Sequence, residues 1–469
     1  MNHHLSAEQD AAAREAHFRK MTQTPVPKLV STLAVPTIIS MLVTSIYNMA
    51  DTFFVSQLGT SAAGAVGVVF SLMAMIQAIG FMIGMGAGNT VARHLGARDI
   101  QRAEEAASSG FFLALAAGLC LTLLGVAFIK PLMRVLGATE TILPYAEAYA
   151  QYILFAAPVM SCSFVLNNLL RGEGKATLAM VGIGAGGVLN IVLDPLFIFV
   201  LGQGTAGAAM ATALSQCVSC GILLSMFLRG KSSVRLRISK VSRSLRVYRQ
   251  MLTIGLPSFC RQGIASFATM LLNLAAAAYG DAAVAAMGIT GRVFMFLFSV
   301  MIGFGQGFQP VCGFNYGAGL YGRVRQAMYF TAKVGTVLMT AASVIFFIFA
   351  PQVLMLFRRD DAAVIAMGTL AFRLQCAALP LTGLTSVTNM SLQCTGHAWQ
   401  ATLLALCRQG LCFIPLILIL PRVGGMLGVQ AAQPLADLLT FAVSVPFFLA
   451  FLRELKTREA AAVSSPGPQ

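Results

Sequence analysis

Four polar side chains in otherwise oily stretches carry what chemistry this sequence offers. Asp51 is the one charge in "PTIISMLVTSIYNMADTFFVSQLG", the run from Pro36 to Gly59. Asn190 and Asp194 stand four residues apart in "GVLNIVLDPLFIF", a spacing that puts both on one face of a helix. Pro195 follows at once; with no amide to donate, it loosens the backbone ladder one turn back and frees a carbonyl for a ligand. Thr212, in "AAMATALSQ", adds a hydroxyl. A carboxylate ringed by Leu, Val, Met and Phe is either protonated or occupied by a cation, and rarely both. Two carboxylates with an amide and a hydroxyl suit H⁺, and they also make an oxygen cage for Na⁺. Acids inside a membrane segment are functional by default.

The elements that must position these groups are membrane helices. Hydrophobic residues make up 57% of the 469-residue chain and charged residues 10%, well below the roughly 25% of a soluble domain. Repeated apolar runs of about 20 residues match the length a helix needs to cross the bilayer, and the alternating strands of a barrel do not occur. The fold class expected is an all-α polytopic membrane protein. The formal charge of +15 does not argue for nucleic acid, because the Lys and Arg lie in loops between spans. Ten cysteines lack the spacing of a disulfide framework or a zinc site; "CVSC" at Cys217–Cys220 reads as helix packing.

Breaks in hydropathy give twelve transmembrane helices, at about 31–57, 65–92, 105–129, 146–170, 176–201 and 206–228, then 251–278, 284–314, 326–350, 366–392, 400–421 and 427–452. A shift of 221 residues carries Pro36 onto Pro257, Ser45 onto Ser266, Gly59 onto Gly280, Gly86 onto Gly307, Gly96 onto Gly317, and Gly204 onto Gly425. The halves therefore repeat, and six spans each make the repeat parallel: two six-helix lobes about a pseudo-two-fold axis along the membrane normal, with a cavity between them. The expected organisation is an N-terminal arm (1–30), an N-lobe (31–228), a basic linker (229–250), a C-lobe (251–452) and a tail (453–469). The linker "RGKSSVRLRISKVSRSLRVYRQ" carries eight Lys/Arg and no acid, and reads as a solvated, topology-setting loop. By the positive-inside rule both termini are cytoplasmic, in an integral plasma (bacterial inner) membrane protein. Pro36 and Pro257, in the long first spans, are the hinge sites expected along with Pro195.

The frame repeats, but the charge does not. The counterpart of Asp51 is Leu272, and the stretch matching Asp194, "GLCFIPLILIL", keeps Pro415 without an acid. That asymmetry locates ion coupling in the N-lobe. In the C-lobe, Arg408 and Asp437 sit well inside their spans and read as a polar pair; Arg261 lies one turn past Pro257 and reads as snorkelling toward the cytoplasmic side, while Arg373 has no assigned role. Met (24) and Phe (32) are abundant enough to line an adaptable cavity, though most must be packing or lipid-facing residues.

With these residues in hand, "PTIISMLVTSIYNMADTFFVSQLG", "GAGNTVARHLGARD", "NNLLRGEGKATLAM", "LNIVLDPLFIF" and "GFGQGFQPVCGFNYGAG" together resemble the multidrug and toxic compound extrusion (MATE) transporters, and within them the DinF/MepA-like group. The resemblance covers about Pro25 to Arg453. It implies export of varied, often cationic and lipophilic compounds in exchange for H⁺ or Na⁺, with Asp51, Asn190, Asp194 and Thr212 as coupling residues. It also implies that the first helix bends at Pro36 on protonation. NorM-type members place an acid in the seventh helix, where "PSFCRQGIASF" offers Arg261 instead, so a C-lobe cation site of that kind is not expected.

The expectation is a secondary active antiporter working by alternating access on small-molecule drugs and organic cations. It would sit among membrane lipids and act as a monomer without obligate protein partner, nucleic acid, cofactor or resident metal. The competing readings are a flippase for a lipid-linked precursor, which needs a cationic cavity, and an exporter of one metabolite. A channel needs a continuous polar pore, and an enzyme needs motifs such as HExxH or GxSxG, which are absent from the sequence.

Overall fold

The computed structural model describes residues 2–357 and 361–464, and among these every regular element is helical. In order they are α1 (Asn2–Gln23), α2 (Val26–Ser56), α3 (Thr60–Gly96), α4 (Ile100–Ala127), α5 (Ile129–Val135), α6 (Leu143–Gly172), α7 (Ala176–Pro195) and α8 (Gly204–Leu228). The second half holds α9 (Leu245–Ala277), α10 (Asp281–Gly317), α11 (Tyr321–Ile348), α12 (Ala350–Phe357), α13 (Ala362–Ala378), α14 (Leu381–Thr395), α15 (Ala398–Leu406) and α16 (Phe413–Ser464). Single π-turns extend α7 (Leu196–Val200) and separate α15 from α16 (Cys407–Leu411).

Three expected spans have a different shape. The span at 366–392 is broken into α13 and α14, which meet at 54°. Pro380 begins the second piece, where its missing amide costs nothing. The last two spans run into one another through Gly425, whose φ of 59° lets the chain reverse without a loop. Its repeat partner Gly204 has φ 56°, and the pair Gly59 and Gly280 have φ 116° and 95°. The matched glycines thus mark matched backbone turns.

Helix α16 continues past the expected boundary at 452 to Ser464, and Glu459 on it holds Arg325 at 2.8 Å. Residue 1 of the expected arm and residues 465–469 of the tail lie outside the described residues. The linker is seated more firmly than a solvated loop. Buried Ser108 and Ser109 accept from the amides of Arg237 and Ser242, buried Glu173 accepts from the Ser233 amide at 2.6 Å, and Val234 is fully buried. A strand of chain crossing oily helix ends must have its amides met by side chains, and those serines and that glutamate meet them.

The lobes swap partners across the axis: α2 packs on α10, and α3 on α9. At the end carrying α1, the linker and the end of α16, the seam is built of glycine. A Cβ on Gly96 would collide with the Phe314 carbonyl, and one on Gly317 with the Arg93 carbonyl; Phe314 and Arg93 are themselves 221 apart. Gly255 against Met82 and Gly303 against Ile38 make further close backbone approaches. One apolar cluster spans both lobes at this basic end. Toward the other end the clusters separate, one within 55–209 and another within 268–436, so the lobes part there. Bonds between Gln262 and Gln77 (3.0 Å) and between Ser45 and Ser299 (3.2 Å) tie the lobes together where they diverge.

Helix α1 braces the basic end. Its Phe18 packs on Phe314 and lies under Arg98, the Asn315 amide donates to the Met21 carbonyl, and Arg323 donates to the Thr24 carbonyl. His17 is buried edge-on to Phe314, with Lys175 and Lys20 nearby. Desolvation first, and the Lys175 charge second, push its pKa down to about 4 from 6.5. Because the docked helix disfavours the protonated ring, docking is fully supported above about pH 6.5 and weakens as pH falls toward 4.

Two outcomes are expected. Hydrogen exchange in α1 should accelerate between pH 6.5 and 4.5 in the wild type and much less in His17→Gln. Gly96→Ala and Gly317→Ala should each destabilise the protein by about 1–3 kcal/mol of overpacking, read as a lowered melting temperature. Gly184→Ala, with nothing within 4 Å of the added carbon, should be neutral or better.

Candidate ion-coupling site

Three helices of the N-lobe bring the expected residues together. Asp194 ends α7 and is fully buried; Asn190 lies one turn earlier on the same face, and its amide nitrogen donates to Asp194 Oδ1 at 3.1 Å. The same nitrogen reaches Thr212 Oγ1 on α8 at 3.3 Å. Small residues let these helices approach: Gly186 abuts Ser219 and the Ser215 carbonyl of α8, and Gly187 abuts Val43 and Tyr47 of α2. The π-turn directly after Pro195 is the backbone's answer to the missing amide. Asp51 enters from α2, and Asp194 lies within electrostatic reach of it.

Joining the two carboxylates is a residue absent from the sequence reading. Tyr149 of α6 is fully buried; its hydroxyl donates to Asp51 Oδ2 at 3.3 Å and faces Asp194 and Thr212 as well. Tyr47, one turn before Asp51, faces the same carboxylate. A buried tyrosine must find a partner for its hydroxyl, but nothing in "PYAEAYAQYILF" says which of its three tyrosines turns inward.

The cluster is incompletely bonded. Asp51 Oδ1, Asp194 Oδ2 and Asn190 Oδ1 are buried and accept no hydrogen bond, and the Ser215 hydroxyl nearby is likewise unbonded. No Lys or Arg among the described residues forms an ion pair with either acid. Three buried acceptor oxygens without a donor, on two acids and an amide linked through the Tyr149 and Thr212 hydroxyls, are a donor set for a proton or a small hard cation. Such a set has no complementarity to an anion.

Other sequence candidates fall elsewhere. Pro36 and Pro257 lie in the interiors of α2 and α9, which run through them as unbroken helix in this state. Arg408 and Asp437 meet in the C-lobe at 2.8 Å. Arg261 lies within electrostatic reach of Arg408 in the C-lobe, and Arg373 lies over the exposed Phe347. The basic-end seam also holds a polar belt that sequence reading passed over: Arg171 of α6 donates to Gln306 of α10, and Gln393 bonds both Gln309 and Ser258.

Comparison with known proteins agrees with this arrangement. The MatE family model matches twice, over residues 36–196 and 257–419, which is the repeat read from the glycines. The chain is similar to the multidrug export protein MepA of Staphylococcus saprophyticus (26% identical, covering 91% of this chain and 94% of that one). It is also similar to MepA of Staphylococcus aureus (28% identical, 87% and 90%). Among solved structures it superposes on a MATE protein in complex with MaL6 at a TM-score of 0.89, with 28% identity over 94% of this chain and 99% of that one. An outward-facing multidrug resistance MATE family transporter gives 0.89 with 29% identity over 93% and 98%. With both halves matched by the family model and the twelve-helix, two-lobe frame shared with solved members, this chain belongs to the MatE family of membrane transporters.

Proposed function

We propose that the protein is a secondary active exporter of lipophilic, often cationic compounds, driven by exchange for H⁺ or Na⁺ through alternating access. The observation that carries this reading is that Asp51 Oδ1, Asp194 Oδ2 and Asn190 Oδ1 are buried without donors in one cluster with Tyr149 and Thr212. The curated relatives are multidrug export proteins, which supports the substrate class.

In this cycle the basic end faces the cytoplasm, as the positive-inside rule requires, and the parted end faces outward. From outside, a proton or Na⁺ enters the acid cluster. A carboxylate so occupied no longer attracts a cationic guest, so ion loading releases drug outward. The bending of α2 at Pro36 and the yielding of α7 at Pro195 then couple the changed cluster to the seam. Pro257 gives α9 the same weak point in the other lobe. Exchange of one H⁺ for one monovalent cation moves no net charge, so the pH gradient alone drives it; a neutral substrate adds about 2.3 kcal/mol per charge per 100 mV of potential.

Asp51→Asn and Asp194→Asn are each expected to abolish efflux of ethidium from loaded cells while the protein still inserts. Wild-type efflux in both variants removes the mechanism. Tyr149→Phe deletes one neutral hydrogen bond, about 1 kcal/mol of stability, and is expected to cut transport by roughly tenfold with little change in melting temperature; an unaffected rate would leave Tyr149 as packing. In proteoliposomes, imposed pH and Na⁺ gradients applied separately identify the ion, and the Na⁺ reading requires that sodium alone drive uptake at constant pH.

A further inference from the structure

The C-lobe holds a second built site, of opposite charge. Asp437 of α16 has a nearly inaccessible side chain whose oxygens are fully engaged: Oδ1 accepts from Arg408 Nε at 2.8 Å and Gln433 Nε2 at 3.1 Å, and Oδ2 from Gln375 Nε2 at 2.8 Å. Arg408 is not used up in return. Only its Nε is bonded; its guanidinium lies over the Phe298 ring at 4.1 Å, and no acceptor among the described residues reaches Nη1 or Nη2. A fork with one edge anchored and the other open, held flat on an aromatic face, is the pre-organised donor pair that matches a carboxylate.

The surroundings favour an anion. Arg408 lines a small pocket together with Phe298, Thr382, Thr385, Ser386, Asp437 and Thr440. Thr382, Thr385 and Thr440 donate their protons to backbone carbonyls, whereas Ser386 donates to nothing and has a proton to give. Arg261 stands within electrostatic reach of Arg408, so the local balance is two cations against one masked acid. Arg408 also lies in the π-turn Cys407–Leu411, an irregularity that tends to mark functional positions. The free space is about 10 Å³, room for roughly one water-sized group, which suits one small polar group and not an entire drug.

The position ties this pocket to the acid cluster. Phe298 precedes Ser299, whose hydroxyl contacts Ser45 of α2, and Asp51 follows Ser45 by six residues, a rise of about 9 Å. The acids and the arginine pocket thus lie in opposite lobes on either side of the α2–α10 contact. We propose that Arg408, backed by Arg261 and Ser386, is a subsite for the carboxylate of a zwitterionic amphiphile whose cationic end lies toward Asp51 and Asp194. This deepens the export reading and rests on it.

The test uses two dyes on one fluorophore, a rhodamine with a free benzoate (a zwitterion) and its methyl ester (a cation), bound to the full-length protein in lipid nanodiscs and read by fluorescence polarisation without any gradient. Arg408→Gln alone strands the buried Asp437 charge, so the paired variant Arg408→Gln/Asp437→Asn is measured beside Arg261→Gln, with melting temperature as the folding control. The free acid is expected to lose at least tenfold in affinity in the paired variant and a few-fold in Arg261→Gln, with the ester within twofold of wild type throughout. Equal losses for both dyes, or no loss for the acid, overturn the subsite. Ester bound and exported with the acid ignored by the wild type overturns the subsite and leaves the export reading standing; neither dye bound or exported counts against both.

Discussion

Hydrocarbon offers no hydrogen bonds, so each polar atom inside this bundle must be met by another part of the chain or be kept for something else. Nearly all of them here are met: the linker amides by Ser108, Ser109 and Glu173, the seam amides by one another, Asp437 by three donors. The oxygens of Asp51, Asp194 and Asn190 are the exception that gives the molecule its chemistry. An unmet buried acceptor costs about 1–3 kcal/mol, and more when charged. A fold that could have placed Leu at residue 51, as its own repeat does at residue 272, sustains that cost at three acceptor oxygens between α2, α6, α7 and α8, while other unmet atoms such as Asn89 Nδ2, Arg93 Nε and Thr331 Oγ1 lie apart from them.

The repeat explains how one frame supports two unlike chambers. Backbone features are duplicated: positive φ at Gly59 and Gly280 and at Gly204 and Gly425, and reciprocal contacts at Gly96 and Gly317. Charge is not. Each lobe also carries a π-turn in the helix bearing its principal charged group, but in different registers. In α7 the turn comes just after Asp194 and Pro195; in the matching helix of the C-lobe it contains Arg408 and precedes Pro415. Duplicated scaffold with divergent charge thus places paired acids in one lobe and an arginine-lined pocket in the other while the backbone turns stay matched.

What could be read from sequence follows the same division. Long apolar runs and repeated glycines are local, one-dimensional signals, so the twelve spans, the two lobes and the Asn190–Asp194 face were legible. Tyr149 was not, because a tyrosine in an apolar helix looks alike whether it faces lipid or a carboxylate. The open edge of Arg408 was hidden for a related reason: two opposite charges in a hydrophobic lobe suggest neutralisation, and only the geometry shows that Gln375 and Gln433 share the work of masking Asp437. The break at Pro380 and the merger of the last two spans at Gly425 turn on local backbone choices that hydropathy does not register.

The make-up of the seam bears on how such a molecule could change state. Interdigitated side chains or buried ion pairs would hold the lobes at one angle, since separating them strands charge or opens voids. This seam instead uses glycine faces against backbone, the amide pair Gln77–Gln262 and the Arg171–Gln306 bond. Amide pairs exchange for water at a net cost of only about 0.5–1.5 kcal/mol each, and a glycine face leaves no side chain behind when it withdraws. The seam's charged members cross to neutral groups, Arg171 to Gln306 and Arg93 to the Thr395 carbonyl. On separation neither partner becomes an unpaired counter-charge, because none was paired across the seam. An interface composed this way is closely packed and yet strands no ion pair when its two faces separate.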